Sequence, residues 1–309
     1  VGDMMAFIQY TMQIIMAFLM ITMISIILPR ATVSAGRIDE VLTVEPLIKD
    51  PQEPKKISKK IAGYINFNNV SFKYNDADEP VIKNISFVAK PGQTTAIIGS
   101  TGSGKSTIVN LIPRFYDVTT GEILIDGINI RDIKQHDLRD LIGYIPQKAV
   151  LFSGTIASNL KYGKSKAEEK ELIEAARVAQ ALDFIKEKDK KFKANIAQGG
   201  ANVSGGQKQR LAIARALVKK PQIYIFDDTF SALDFKTDAK LRAALKKFTG
   251  NSTVLIVAQR ISTIINAEQI IVLEAGEIVG IGTHEELLNN CQVYKEIALS
   301  QLSKEELAR

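Results

Sequence analysis

The sequence contains one cysteine, two histidines and no tryptophan in 309 residues. A single cysteine, Cys291, excludes an internal disulfide, and it has no neighbouring cysteines or histidines with which to form a metal site. This cysteine usage is typical of a protein in a reducing compartment.

Charged residues are absent between Asp3 and Arg30, and the segment Met4–Leu28 is almost wholly apolar. As a helix it would extend roughly 37 Å, enough to cross a hydrocarbon core of about 30 Å. A secretory signal is a poor fit, because Asp3 precedes the run and the run is too long. We therefore predict a transmembrane helix at 1–30. Arg30 and Arg37 follow it, which places the next domain on the cytoplasmic face of the cell membrane.

The net charge of +6 comes mainly from lysine clusters at 55–56, 59–60 and 186–193. No aromatic residues alternate with these lysines to provide a stacking surface for bases. Solvated lysine-rich loops explain the clusters better than a nucleic-acid site does. The sequence therefore predicts no nucleic-acid partner.

Beyond the apolar segment, residues 31–62 form a predicted connector interrupted by Pro46, Pro51 and Pro54. Alternating apolar residues from Tyr64 onward predict an antiparallel sheet, and Asp126-Gly127 predicts a hairpin turn. Helix-forming residues dominate from about 155 to 220, which predicts an all-helical insertion. Strand patterns then return at Ile223–Phe226, Thr253–Val257, Gln269–Leu273 and Glu277–Ile281.

These patterns predict an α/β fold with three parts in a domain at 63–309. They are a core with a parallel sheet, an antiparallel β subdomain and the helical insertion.

A glycine-rich loop, Gly99–Ser106, follows a short buried strand and opens a helix. Glycines allow backbone N–H groups to converge on phosphate oxygens, and the helix N-terminus favours negative charge. Lys105 is predicted to reach the terminal phosphates of a bound nucleotide, and Ser106 to bind Mg²⁺, which makes the parallel-sheet core a phosphate-loop NTPase core. The predicted nucleotide-contacting residues here are Gly99, Ser100, Thr101, Gly102, Ser103, Gly104, Lys105, Ser106 and Thr107.

A second apolar strand, Ile223–Phe226, ends in the carboxylates Asp227 and Asp228. If this strand lies beside the glycine-rich loop, Asp227 is close to the Mg²⁺ of the bound nucleotide.

Between these two motifs stands Ser204-Gly205-Gly206-Gln207. With this motif the chain resembles the ATP-binding cassette (ABC) family, over about residues 64–288. The resemblance implies that Ser204, Gly205, Gly206 and Gln207 contact ATP held by an opposing cassette, so that two cassettes enclose two nucleotides. A capped helix start is the alternative for these four residues.

The same resemblance implies roles for three more residues. Tyr74 would stack on adenine, Asp234 would lie where the two cassettes meet, and Gln147 would bind Mg²⁺ and link the nucleotide to the membrane part. Local alternatives are a core aromatic, a helix cap and a capped loop glutamine, respectively. The apolar span and connector resemble exporter-type members, in which six spans precede the cassette.

Two positions depart from the family pattern. Asp228 stands where the family usually has the glutamate that polarises water, and Gln259 stands where it usually has a switch histidine. Glutamine donates hydrogen bonds but carries no proton or positive charge. The segment Gln198-Gly199-Gly200 also differs from the usual Glu-Arg-Gly. The substitutions at positions 228 and 259 predict a catalytic site, formed by Asp228, Gln259 and Gln147, that binds ATP firmly and hydrolyses it slowly.

The favoured hypothesis is the degenerate-site subunit of a heterodimeric exporter that moves a small or lipid-like molecule across the membrane. A homodimeric exporter in which Asp228 suffices remains open. A soluble ABC ATPase and a non-hydrolytic module in which ATP only joins subunits are further alternatives.

Overall fold

The computed structural model describes residues 1–57, 61–75 and 77–301 of the chain. It contains two compact units, Val1–Lys49 and Asp50–Arg309. The division falls within the predicted connector at 31–62. Lys59 and Lys60, part of the predicted basic clusters, lie outside the described residues, as does the end of the predicted domain at 63–309.

The first unit consists mainly of helix α1 (Gly2–Leu42), which continues through Pro29. None of its residues is buried in the described part of the chain, and an 18-residue window has a mean hydropathy of 2.3. The hydroxyls of Thr11, Thr22 and Ser25 donate to carbonyls four residues earlier, which satisfies polar groups within the apolar stretch. By length and composition α1 can cross a membrane.

The second unit contains the remaining described elements. Strands β1 to β12 lie at Ile65–Phe72, Ile82–Ala89, Thr94–Gly99, Thr120–Ile125, Ile128–Asn129, Ile142–Ile145, Gly154–Thr155, Asn195–Ile196, Ile223–Asp227, Thr253–Val257, Gln269–Glu274 and Glu277–Gly282. Helices α2 to α11 lie at Lys105–Leu111, Gln135–Asp140, Ile156–Lys161, Glu169–Val178, Leu182–Glu187, Gly205–Lys219, Phe235–Thr249, Ile261–Ile264, His284–Asn290 and Gln292–Gln301.

An antiparallel sheet has the strand order β2-β1-β4-β5. Its predicted hairpin is present, because Ile125 pairs with Ile128 across Asp126 and Gly127. Both turn residues have positive φ, 47° and 80°, as a two-residue type I′ turn requires. The Asp126 carboxylate also accepts the backbone N–H groups of residues 62–64, which ties the start of the domain to this turn.

The central sheet has the order β12-β11-β3-β10-β9-β6, parallel except for the β11–β12 pair. Alternate residues of each parallel strand enter two different apolar cores. In β9, Tyr224 and Phe226 face the core shared with the helical region, whereas Ile223 and Ile225 face the core shared with the antiparallel sheet and α2. Burial on both faces explains why these strands are continuously apolar.

The region from 155 to 220 is helical as predicted, apart from one short strand pair. Strand β7, at the start of the region, pairs antiparallel with β8, which lies within it before helix α7. Two residues per strand are too few to produce a periodic sequence signal. The α/β fold with a parallel core, an antiparallel subdomain and an apolar N-terminal helix is thus confirmed.

Candidate functional site

The site lies at the carboxyl ends of four neighbouring parallel strands. Strands β6, β9, β10 and β3 lie side by side in the sheet. The segments that follow them carry Gln147, Asp227 with Asp228, Gln259 and the loop from Gly99, respectively. Since the carboxyl ends of parallel strands share one sheet edge, the topology brings these predicted residues together.

The glycine-rich loop needs glycine for two different reasons. A Cβ at Gly99 would lie 2.1 Å from the carbonyl oxygen of Leu273. This distance is too short for any residue with a side chain. Gly102 and Gly104 have φ values of 83° and 95°, a left-handed conformation that glycine adopts without strain. Lys105 Nζ donates to the carbonyls of Gly99 and Ser100, at 3.0 and 2.6 Å, which keeps its ammonium at the loop.

Ser103 supplies a direct test of whether this loop fits a phosphate. Its hydroxyl is buried and has no hydrogen-bond partner among the described residues. A buried donor without an acceptor costs free energy, and a phosphate oxygen would provide that acceptor. The unpaired N–H groups in the first turn of α2 add further donors. The loop therefore fits the triphosphate of ATP.

Asp227 links the loop to the central sheet. Ser106 Oγ donates to Asp227 Oδ1 at 2.9 Å, and Tyr144 donates to Asp227 Oδ2 at 3.2 Å. Burial raises the pKa of Asp227, and the hydrogen bonds from Ser106 and Tyr144 oppose that rise. Burial also lowers the pKa of Lys105, against the charges of Asp228 and Asp227.

Asp228 lies at the centre of the three predicted catalytic residues. Its Oδ2 accepts Nε2 of Gln147 at 2.9 Å and Nε2 of Gln259 at 2.6 Å. The carboxylate is buried, whereas both glutamines are exposed. Burial raises the pKa of Asp228, and the Gln147 hydrogen bond opposes the rise.

A magnesium ion would fit the oxygen atoms of this arrangement. No group of three His, Cys, Asp or Glu side chains clusters among the described residues, so an all-carboxylate site is absent from that part of the chain. Ser106 and Asp227 instead present a hydroxyl and a carboxylate in direct contact, and Gln147 still has its Oε1, since Nε2 is bonded to Asp228. Neutral and anionic oxygens of this kind suit Mg²⁺, which retains several waters.

Tyr74 lies beside the loop but is already packed against other aromatic rings. Its hydroxyl is 3.2 Å from Thr107 Oγ1, and its ring makes edge contacts with Phe72 and Tyr116 at centroid distances of 4.7 and 5.2 Å. The partly exposed Tyr116 is a second aromatic side chain at this position that no sequence motif indicated. Adenine stacking on Tyr74 stays a prediction.

The Ser204–Gln207 motif forms the start of helix α7. Ser204 Oγ accepts the N–H of Gln207, and Gln207 Oε1 accepts the N–H of Ser204, so that the two residues form a capping box. Neither side chain hydrogen-bonds the loop Gly99–Ser106 anywhere in the described ranges. Ser204 and Gly205 are exposed at the N-terminus of this 15-residue helix, where backbone donors are available to an external group.

Asp234 caps helix α8 by accepting the N–H of Thr237 at 2.9 Å. This hydrogen bond is the main reason that the pKa of Asp234 lies below its ordinary value. The structure thus shows the capping role of Asp234, and its predicted place between two cassettes stays a prediction.

Two residues of the site were not predicted from the sequence. The Tyr144 hydroxyl lies 2.9 Å from Asn110 Oδ1 and 3.2 Å from Asp227 Oδ2, and its one hydrogen is available to either acceptor. Tyr144 and Asn110 therefore belong to the network around the carboxylate. The available signal was the phenol of Tyr144 within the buried strand β6, because a buried hydroxyl needs a partner. Burial and the adjacent charge of Asp227 raise the pKa of Tyr144, which keeps it a neutral donor.

Known proteins match this chain over the segment that contains these motifs. Residues 82–231 match the family model described as ABC transporter. The chain is 50% identical, over 97% of its length, to an uncharacterized ABC transporter ATP-binding protein of Mycobacterium tuberculosis, of which it covers 52%. It is 45% identical, over 77% of its length, to the ATP-dependent lipid A-core flippase of Pasteurella multocida, of which it covers 41%.

The fold is similar to that of a solved bacterial Atm1-family ABC exporter with ATP bound. The TM-score is 0.83 and the identity 34%, and the match covers 89% of this chain and 48% of that structure. The chain therefore spans about half the length of these relatives or less.

Proposed function

This chain carries the nucleotide-binding domain of an ABC transporter, and we propose that it is an ATPase subunit of an exporter whose own hydrolytic site is slow. In this proposal the domain lies on the cytoplasmic face of the cell membrane and α1 is the last of its membrane spans. The transported molecule is small, amphipathic or lipid-like, as the similarity to a lipid flippase supports.

ATP would be held mainly by the loop between β3 and α2. The backbone N–H groups of its glycines and the Ser103 hydroxyl would donate to phosphate oxygens. The Lys105 ammonium would leave the carbonyls of Gly99 and Ser100 and bind the terminal phosphates. Ser106, Asp227 and the Oε1 of Gln147 would hold Mg²⁺, which neutralises phosphate charge. Tyr74 would contact the adenine.

The double amide contact at Asp228 carries the proposal of slow hydrolysis. A carboxylate oxygen has about two lone-pair positions, and two amide donors already occupy those of Asp228 Oδ2. Only Oδ1 remains to orient or deprotonate an attacking water. Asp228 is also one methylene shorter than the family's usual glutamate. Gln259 is neutral, so it cannot place a positive charge next to the phosphate. Loss of a well-placed base costs about 10²- to 10⁴-fold in rate.

The second subunit would complete the site. Because Ser204 and Gly205 are exposed at the start of α7, this end of the helix is available to contact nucleotide held by another cassette. We favour a heterodimer in which this chain lends that segment to a partner with the usual glutamate and histidine. A homodimer would require Asp228 to support turnover by itself. The apolar α1 and the exporter relatives disfavour a soluble ABC ATPase.

The deciding experiment measures ATP hydrolysis by the full-length protein purified without a partner subunit. We expect ATP binding with a slow rate of phosphate release, and little further loss in Asp228→Asn. A rate normal for the family that Asp228→Asn abolishes would contradict the slow site and favour the homodimer. If Lys105→Ala weakens subunit assembly but does not stop transport, the chain would instead be a non-hydrolytic module in which ATP joins the subunits.

A further inference from the structure

Gln301, near the end of helix α11, binds the segment that carries Gln259. Its Nε2 donates to the carbonyl of Gln259 at 2.8 Å, and its Oε1 accepts the N–H of Ile261 at 2.9 Å. One side-chain amide thus bonds the backbone on both sides of Arg260. The two segments are separated by 40 residues of sequence, so only the tertiary fold joins them.

This contact replaces a cap that helix α9 otherwise lacks. Arg260 is the N-cap residue of α9 and provides no side-chain cap. Its guanidinium instead lies over the ring of Phe235, 5.1 Å from the centroid. The first amide of the buried helix start, that of Ile261, therefore obtains its acceptor from Gln301.

Helix α11 is itself firmly anchored to the domain. Tyr294 and Ala298 are fully buried on its inner face, and the Tyr294 hydroxyl is 2.7 Å from Nδ1 of His284. On the other side of Gln259, the N–H of Ala258 donates to the carbonyl of Ile97 in β3. Gln259 is thus fixed by the sheet before it and by Gln301 after it.

We propose that Gln301 is a positioning residue for ATP hydrolysis and acts through Gln259. With the backbone held on both sides, the Gln259 amide reaches Asp228 at 2.6 Å and stays at the sheet edge where the γ-phosphate would lie. This inference rests on the proposed function, since it assigns a role to Gln259 in that site.

The test is a double-mutant cycle in the full-length membrane-embedded transporter. Single-turnover hydrolysis of γ-labelled ATP is measured for wild type, Gln301→Ala, Gln259→Ala and the double variant. We expect Gln301→Ala to slow hydrolysis about threefold to tenfold, because loss of two hydrogen bonds lets the Gln259 amide move away from the γ-phosphate, and this outweighs the release of Asp228 Oδ2. The effect on ATP affinity should be smaller than the effect on the rate. In the Gln259→Ala background the same change should have little effect.

Gln292→Ala is the matched control, because Gln292 belongs to the same helix and its side chain bonds Glu296 and no other residue in the described ranges. It should leave hydrolysis unchanged. Hydrogen exchange provides a readout that does not depend on turnover: Gln301→Ala should speed exchange of the Ile261 amide, and Gln292→Ala should not.

An equal slowing by Gln301→Ala in both backgrounds would overturn the proposal, as would unchanged exchange at Ile261. A fast wild-type rate that requires Asp228 would refute the proposal of a slow site, but it would not refute the role of Gln301. The cycle would still report whether Gln301 acts through Gln259, because it compares variants with one another.

Discussion

Restoring the two unusual side chains should convert the slow site into a faster one. The perturbation is Asp228→Glu combined with Gln259→His, which installs the residues that most ABC proteins have at these positions. Glutamate extends the carboxylate by one carbon–carbon bond, about 1.5 Å. The Gln259 amide already lies 2.6 Å from Asp228 Oδ2, so a longer acid cannot extend along that line until residue 259 changes.

This geometry sets the expected sizes of the effects. Asp228→Glu alone should raise hydrolysis less than about tenfold, because the amide of Gln259 obstructs the added length. The double variant should raise it about 100-fold, the lower end of the usual contribution of a positioned acid or base. Gln147 should continue to orient the new carboxylate from the other side.

The assay is phosphate release by the full-length transporter at saturating Mg-ATP. Adding Lys105→Ala to the double variant is the control, and it should abolish the gain if the activity arises at this chain's own nucleotide. A double variant that binds ATP and melts like wild type, yet hydrolyses within threefold of it, would refute the reasoning about Asp228 and Gln259.

Three further predictions concern the loop, the motif at α7 and the buried carboxylate. Lys105→Ala should weaken ATP binding about 10- to 100-fold, as loss of charged hydrogen bonds implies, measured by titration with a fluorescent ATP analogue; unchanged affinity would contradict the phosphate role. Ser204→Ala should cost about 1 kcal/mol as a lost helix cap and also reduce ATP-driven pairing of cassettes. Thr283→Ala, at the similar capping box of α10, should cost as much stability without affecting pairing. Because burial raises the folded-state pKa of Asp227, its contribution favours folding at acidic pH and is lost as pH rises through that pKa. Asp227→Asn should therefore raise the melting temperature without nucleotide or Mg²⁺ at pH 7 and not at pH 3; an equal effect at both would contradict the assigned cause.

Local features of the fold could be predicted because their causes lie within a few residues. The turn at Asp126-Gly127 depends on the tolerance of these two residues for positive φ, and the loop Gly99–Ser106 depends on glycine spacing. Strand β9 was predicted from a continuous apolar run that ends in carboxylates. Its neighbours in the sheet then follow from the parallel α/β pattern, which is why the predicted site residues meet at one edge.

Contacts between distant segments could not be predicted in the same way. Tyr144 reaches Asp227 across 83 residues of sequence, and Gln301 reaches Gln259 across 42. Neither belongs to a motif, and a tyrosine or glutamine by itself does not specify its partner. Their positions result from how β6 and α11 pack on the rest of the domain, which periodicity does not encode.

The hydrogen-bonding capacity of Gln259 suggests what a slow site would contribute to the proposed transporter. A glutamine amide has two N–H groups, whereas a neutral histidine has one. Gln259 can therefore donate to Asp228 and to a γ-phosphate at once, which would stabilise bound ATP without supplying a charge to the transition state. As a neutral donor it would accelerate the chemical step less than a charged histidine does, because only interactions that are stronger in the transition state than in the ground state raise the rate. Such a site would keep the two cassettes associated through ATP while the partner's site hydrolyses its own nucleotide.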